Sequence, residues 1–167
     1  MDEDRVGWGS LAYHPRLLVL DEPFSGLDPL VHEELIEGVL DSAGETTILI
    51  SSHDLGEIES FASHIGYLDR GRLQFSEEMT SLAARFREVE ITLDSPVIVP
   101  SDGRWPAHWL RPELSSAVIR FVETRFDSEH TASEIRQLFS NVRQVSVRPM
   151  PLRAIFVTIA RSSAKAA

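Results

Sequence analysis

Five consecutive residues, Leu17 to Asp21 (LLVLD), constrain the fold more than any others: an uninterrupted apolar run that ends in an acid. A run this short reads as a strand buried on both faces of a parallel sheet. After a turn, Asp28 and Pro29 have the character of a helix N-cap and first helical residue. Val31, Leu35 and Val39, with Ile36 and Leu40 beside them, then recur at helical spacing until Gly44 stops the helix. Residues 46 to 50 (TTILI) supply a second buried strand. Strand, helix and strand in succession make a parallel crossover unit, so the fold class is α/β.

Further along, Asp54 with Glu57 three residues on resembles a capping box and starts a helix through Ala62. His64 to Asp69 reads as a strand, and Arg70-Gly71 turns it into RLQF as a hairpin. Ser76 opens another helix, expected to run to Phe86. Residues 1 to 86 thus read as the second half of a larger sheet domain. From Arg87 the pattern changes to a small α+β appendage over residues 87 to 167. It holds a strand from Glu88 to Leu93, a proline-rich loop over 95 to 112, and a strand from Val118 to Glu123. A helix capped by Thr131 and Glu134 runs through Phe139, followed by a strand from Gln144 to Arg148 and a helix from Leu152 to Arg161.

Composition narrows the function. With 26 acidic residues against 16 basic ones in 167, the formal charge is −10, which argues against nucleic-acid backbones and anionic lipid surfaces as direct partners. Cysteine is absent, so neither a disulfide nor a thiolate takes part. The N-terminal stretch MDEDRVGWGS lacks a basic segment leading into an apolar run, so no secretory signal is expected. No apolar stretch approaches the roughly 20 residues that cross a bilayer, so a membrane location would come through a partner.

The chemistry is concentrated in LLVLDEP, residues 17 to 23, running straight into FSGLDP, residues 24 to 29. Two adjacent carboxylates at the end of a buried strand stand at the sheet's carboxyl edge, where open α/β sheets bind ligands. Asp21 suits Mg2+ held directly or through water, and Glu22 is placed to orient or deprotonate an attacking water. In SSHDLGEIE, residues 51 to 59, His53 follows the second strand and shares that edge if the two strands are neighbours. There it can meet a γ-phosphate and hold carboxylate and water in line, the positioning on which phosphoryl transfer relies. His14, His32, His64, His108 and His130 show no ligand-like spacing and read as structural or solvated. Trp8, Trp105 and Trp109 read as packing residues, since no basic groove accompanies them.

Taken together, LLVLDEP resembles the Walker B strand of ATP-binding-cassette (ABC) ATPases, SGLDP their D-loop, and SSHDLGEIE their switch-histidine segment, in the family's order. The segment from Arg148 to Arg161 is similar to the end of ATPase subunits in the drug-export branch. The resemblance implies the second half of a P-loop NTPase sheet domain, with ATP and Mg2+ as cofactors. It implies Asp21 as Mg2+ ligand, Glu22 as general base and His53 as switch residue contacting nucleotide. Ser25, Gly26, Leu27 and Asp28 would touch a second ATPase subunit across a nucleotide sandwich. The implied partner is a transmembrane permease subunit, with the ATPase peripheral at the inner face of the cell membrane.

Part of that site has no counterpart in these 167 residues. A phosphate-gripping loop closes with Gly-Lys-Ser or Gly-Lys-Thr, and the only lysine is Lys165, in a small-residue tail. No two glycines are adjacent, as the family's signature loop requires, and no glutamine precedes Gln74. The expectation is a chain that alone neither binds ATP tightly nor hydrolyses it, as a truncated product or as one piece of a split subunit. With the first strands of the sheet lacking, an open edge and an exposed apolar face are expected. The alternative reading is a non-catalytic or regulatory half that binds an intact ATPase subunit.

Overall fold

A computed structural model describes residues 15–44, 46–96 and 105–165. Trp8, His14 and residues 97–104 of the expected 95–112 loop lie outside them. The chain falls into two compact units, Met1–Ile58 and Glu59–Ala167. That division lies within one helix.

In the first unit, β1 (Leu17–Asp21) pairs in parallel with β2 (Thr47–Ser51), matching Leu17 with Thr47 through Asp21 with Ser51. The crossover is α1 (Pro29–Ala43). Asp28 caps it as its sequence promises: one carboxylate oxygen accepts the N–H groups of Leu30 at 3.1 Å and Val31 at 3.2 Å. At the other end Gly44 takes φ +44°, a conformation that a residue with a Cβ adopts at a cost. Leu18, Phe24 and Val39 are buried. The expected two-faced burial of β1 fails, however, because Leu17 is 56% and Val19 61% exposed, and Leu49 on β2 is 60% exposed. The physical reason is that this sheet has two strands among the described residues, and a parallel pair needs layers on both faces to bury alternate side chains. The exposed apolar face is therefore present as expected.

Helix α2 (Leu55–Phe61) spans the division between the units, and its start is held by the Asp54 carboxylate accepting the Gly56 N–H at 2.9 Å.

The second unit begins with an antiparallel hairpin of β3 (His64–Asp69) and β4 (Arg72–Glu78). Its turn residues Arg70 and Gly71 have φ of +50° and +74°, the sign that a two-residue turn matched to strand twist demands. The helix expected from Ser76 starts later. Ser76, Glu77 and Glu78 stay in the ladder opposite Gly66, Ile65 and His64, and α3 is limited to Met79–Arg85.

A four-stranded antiparallel sheet follows, ordered β6-β7-β5-β8, from β5 (Arg87–Leu93), β6 (Trp109–Ser115), β7 (Val118–Glu123) and β8 (Val142–Pro149). Strand β6 corrects the expectation of a loop to residue 112. Proline is tolerated there because β6 is an edge strand and Pro112 sits in a bulge: pairing skips from Leu110–Val122 to Glu113–Arg120, with Arg111 at φ +52°.

Helix α4 (Ser128–Leu138) begins three residues ahead of the expected Thr131, because Asp127 accepts the N–H groups of Glu129 and His130. It covers one sheet face, burying Val89, Ile91, Leu93, Trp109, Ile119, Phe121, Ile135 and Phe139 in one cluster. Trp109 stacks on Phe121 with centroids 3.8 Å apart, the packing role expected of it. The final helix α5 (Leu152–Lys165) buries Leu152 and Ile155, and its Leu152 N–H is accepted by the Glu59 carboxylate at 3.0 Å. No helix among the described residues is long and apolar enough to cross a membrane.

Candidate functional site

Parallel pairing of β1 and β2 brings their carboxyl ends side by side, so Asp21 and Ser51 face each other in register. The Ser51 hydroxyl donates to an Asp21 carboxylate oxygen. The same hydroxyl, and the Ser51 carbonyl, accept the Glu22 N–H at 2.9 and 3.1 Å. These bonds hold Glu22 at φ +47°, a left-handed conformation that costs a residue with a Cβ about 1–2 kcal/mol. Strain of this kind persists where the surroundings over-determine it, and here it turns the glutamate out of the strand direction.

The turned side chain meets His53. His53 Nδ1 lies 2.7 Å from Glu22 Oε2, so the imidazole N–H donates to the carboxylate. The hydrogen bond to Glu22, followed by its charge, raises the His53 pKa above the ordinary 6.5, with smaller contributions from Asp54 and Glu57. His53 is open to solvent, its side chain 77% exposed against 39% for Glu22. Its own turn is held by the Ser52 hydroxyl, which accepts the Asp54 N–H at 3.0 Å.

Between Glu22 and α1 the chain makes a tight turn. The Ser25 N–H donates to the Glu22 carbonyl at 3.1 Å, and Gly26 sits at φ +77°, where a Cβ would meet no neighbour but would be strained. Phe24 anchors the turn from below, edge-on to the His32 ring with centroids 4.9 Å apart. Ser25 and Gly26 are left exposed. Asp28, the last residue of the expected contact segment, has its carboxylate engaged by the start of α1. His32 Nε2 also lies 3.3 Å from Glu57 Oε1, which makes it a structural histidine as expected.

Asp21, Glu22 and His53 are thus together at one sheet edge, and Ser51, which the sequence reading left unassigned, ties the first two in place. Its signal was its position, immediately after the second apolar run. Asp21 offers hard oxygen donors at an exposed strand end with a hydroxyl beside it, a donor set that fits a hydrated Mg2+.

The second unit holds a constellation that the sequence reading missed. His108, Glu123 and Glu134 place one ligand atom each within 4.8 Å of one another. Glu123 is fully buried, and burial pushes its carboxyl pKa up. The available signal was the alternation in β7, which puts Glu123 on the same face as Ile119 and Phe121.

Against known proteins, no family model matches the chain. It is 44% identical to the lantibiotic transport ATP-binding protein SrtF of Streptococcus pyogenes over 70 residues, 41% of this chain and 31% of that protein. It is 44% identical to the bacitracin transport ATP-binding protein BcrA of Bacillus licheniformis over 66 residues, 38% of this chain and 22% of that protein. A third relative, the Fe(3+) ions import ATP-binding protein FbpC of Pseudomonas fluorescens, is 36% identical over 116 residues, 66% of this chain and 32% of that protein. Over about half its length the chain is therefore similar to ABC transporter ATP-binding proteins, drug-export types among them. It spans a third or less of the length of these relatives.

Proposed function

We propose that this chain supplies the hydrolytic edge of an ABC-type ATP site, and that ATP hydrolysis there drives export through a transmembrane permease subunit. The observation that carries the reading is the 2.7 Å Glu22–His53 pair at the carboxyl edge of a parallel strand pair. Glu22 accepts the proton of the attacking water. Its αL backbone and the bond from His53 fix the direction in which that water is held. A raised pKa favours the imidazolium, whose second N–H is free to donate to a phosphate oxygen while the first keeps Glu22 oriented. Asp21, braced by Ser51, would hold Mg2+, which when bound neutralises phosphate charge. The exposed Ser25–Gly26 turn, with Leu27 and Asp28 behind it, faces a second ATPase subunit. Such a subunit sits at the inner membrane face through its permease.

The 167 residues contain no Gly-Lys-Ser or Gly-Lys-Thr loop, so the amides and lysine that grip the β- and γ-phosphates must come from another polypeptide segment. The purified chain alone is inactive on this reading. Mixing it with a segment that carries such a loop and a Gly-Gly signature, taken from the lantibiotic-transport relative, restores ATP turnover. Glu22→Gln lowers that turnover by about 100- to 10,000-fold. Turnover by the mixture that Glu22→Gln leaves intact overturns the catalytic assignment. The same lack of a phosphate loop favours a second reading, a non-catalytic half. It predicts co-purification with an intact ATPase subunit, unaffected by Glu22→Gln, and no restored turnover.

A further inference from the structure

We propose that His108, Glu123 and Glu134 form a binding site for a divalent transition cation of the zinc type, independent of the nucleotide chemistry. The three side chains come from three places: the residue before β6, the last residue of β7, and the middle of α4. Their present bonding is incomplete. His108 Nε2 lies 2.9 Å from Glu134 Oε2 and 3.7 Å from Glu123 Oε2. One Nε2–H can serve the first carboxylate but not the second, and Glu123 Oε2 is left without a hydrogen-bond partner on a side chain only 1% exposed. An orphaned buried carboxylate oxygen is costly, and a divalent cation would engage all three groups at once.

Size and charge agree. Zn2+ holds imidazole nitrogen and carboxylate oxygen at about 2.0–2.2 Å, which puts tetrahedral ligand atoms about 3.3 Å apart. The observed 2.9 and 3.7 Å bracket that value, and all three ligand atoms lie within 4.8 Å of one another, so an inward shift of the side chains would close the network into a coordination shell. Two carboxylates balance a 2+ ion held by a neutral imidazole protonated at Nδ1, the Nε2 proton passing to solvent from an imidazolium or relocating to Nδ1 through solvent in a neutral ring. A nitrogen among the donors favours a transition cation over Mg2+ or Ca2+.

The backbone of His108 and the second oxygen of Glu123 are also held from behind. The Thr124 N–H and hydroxyl both donate to the His108 carbonyl, at 3.1 and 3.2 Å. The Arg125 N–H donates to Glu123 Oε1 at 2.8 Å, leaving Oε2 for the ion. His130, one helical turn before Glu134, places Nε2 3.6 Å from Glu134 Oε1, the oxygen not facing His108.

The test is calorimetric titration of the metal-stripped full chain with Zn2+ alone and, separately, with Mg2+ alone. One site per chain that prefers Zn2+ is expected. His108→Gln and Glu134→Gln should each weaken it by more than the roughly 10- to 100-fold typical of losing an outer-shell partner. Glu22→Gln should leave it in place, which separates this site from the nucleotide edge. Co2+ bound to the unaltered chain should show the visible absorption of a tetrahedral centre, a readout that does not depend on how any variant folds. The proposal is overturned if Zn2+ fails to bind, if Mg2+ binds as tightly, if His108→Gln and Glu134→Gln retain full affinity, or if the Co2+ spectrum is that of the hydrated ion.

Discussion

The two units use the same residue types in opposite ways. In the first, Glu22 and His53 meet in the open on a two-stranded sheet whose aliphatic face is exposed. In the second, Glu123 is sealed beneath a four-stranded sheet whose apolar face is covered by α4. An exposed pair in water adds little stability, so the geometry at Glu22 must come from the backbone, through Ser51 and the left-handed turn. A buried carboxylate is expensive, so its geometry comes from packing, and every partner it has matters. The first unit has its reactive groups in place beside an open aliphatic face; the second has a covered core at its four-stranded sheet, although its β3–β4 hairpin leaves Leu68 and Leu73 exposed.

The largest expected effect tests that covered core. Phe121 is buried at the centre of the second unit's core and stacked on Trp109. Phe121→Ala should lower its stability by about 3–5 kcal/mol in urea unfolding. A loss under 1 kcal/mol would mean that this core is as loose as the first unit's exposed face.

Next comes a matched pair of helix caps. Asp127 and Asp28 each accept two backbone N–H groups, at the starts of α4 and α1. Each Asp→Ala change removes about 1 kcal/mol from a helix that is cooperatively folded. Asp127→Ala should therefore shift the main unfolding transition by about that amount. Asp28→Ala should shift it much less, and show instead as faster amide exchange confined to α1. Equal shifts would show that the two units unfold as one and that the contrast drawn between them is wrong. Smaller still is the change from Val19→Thr on the exposed face of β1, expected within about 0.5 kcal/mol, with the gain appearing as a higher concentration before aggregation sets in.

The first unit was far more legible in the sequence than the second, and the reason is locality. Asp28 before Pro29 and Gly44 after α1 act on backbone within a few residues, as Arg70-Gly71 does in the hairpin of the second unit, and each does what its chemistry dictates. LLVLD and TTILI carry enough apolar density to be read as strands without their partners. The errors lie where a distant partner decides. Ser76 to Glu78 have a helix-start composition but are held in the ladder by residues 64 to 66. Pro112 reads as loop until β7 makes β6 an edge strand on which a bulge can absorb it. His108, Glu123 and Glu134 are 15 and 11 residues apart in turn, with no repeating interval, and only the return of β7 and the docking of α4 unite them. Even β1, correctly identified, was expected to be covered on both faces, because apolar density in a strand reports what it was suited to meet and not what is present.

The smallest expected effect is the pH response of His53, and it is the sharpest probe of the open site. Its pKa is raised above 6.5 chiefly by the hydrogen bond and charge of Glu22. A histidine whose folded pKa exceeds its unfolded one stabilises the fold fully below about 6.5, and that contribution disappears as the pH rises through the folded value. Being solvent-exposed, the pair should barely move the unfolding midpoint across this range, whereas the His53 ring C–H resonance reports the titration directly. The wild-type midpoint should lie above 6.5 and fall toward it in Glu22→Gln, since the two leading causes go together. In 1 M salt the wild-type midpoint should fall only partway, because screening weakens the charge interaction but leaves the 2.7 Å hydrogen bond. A midpoint at or below 6.5 in the wild type, or one that ignores Glu22→Gln, would mean that Glu22 and His53 are not joined in solution. The open site would then have lost the one contact that distinguishes it from two neighbouring surface residues.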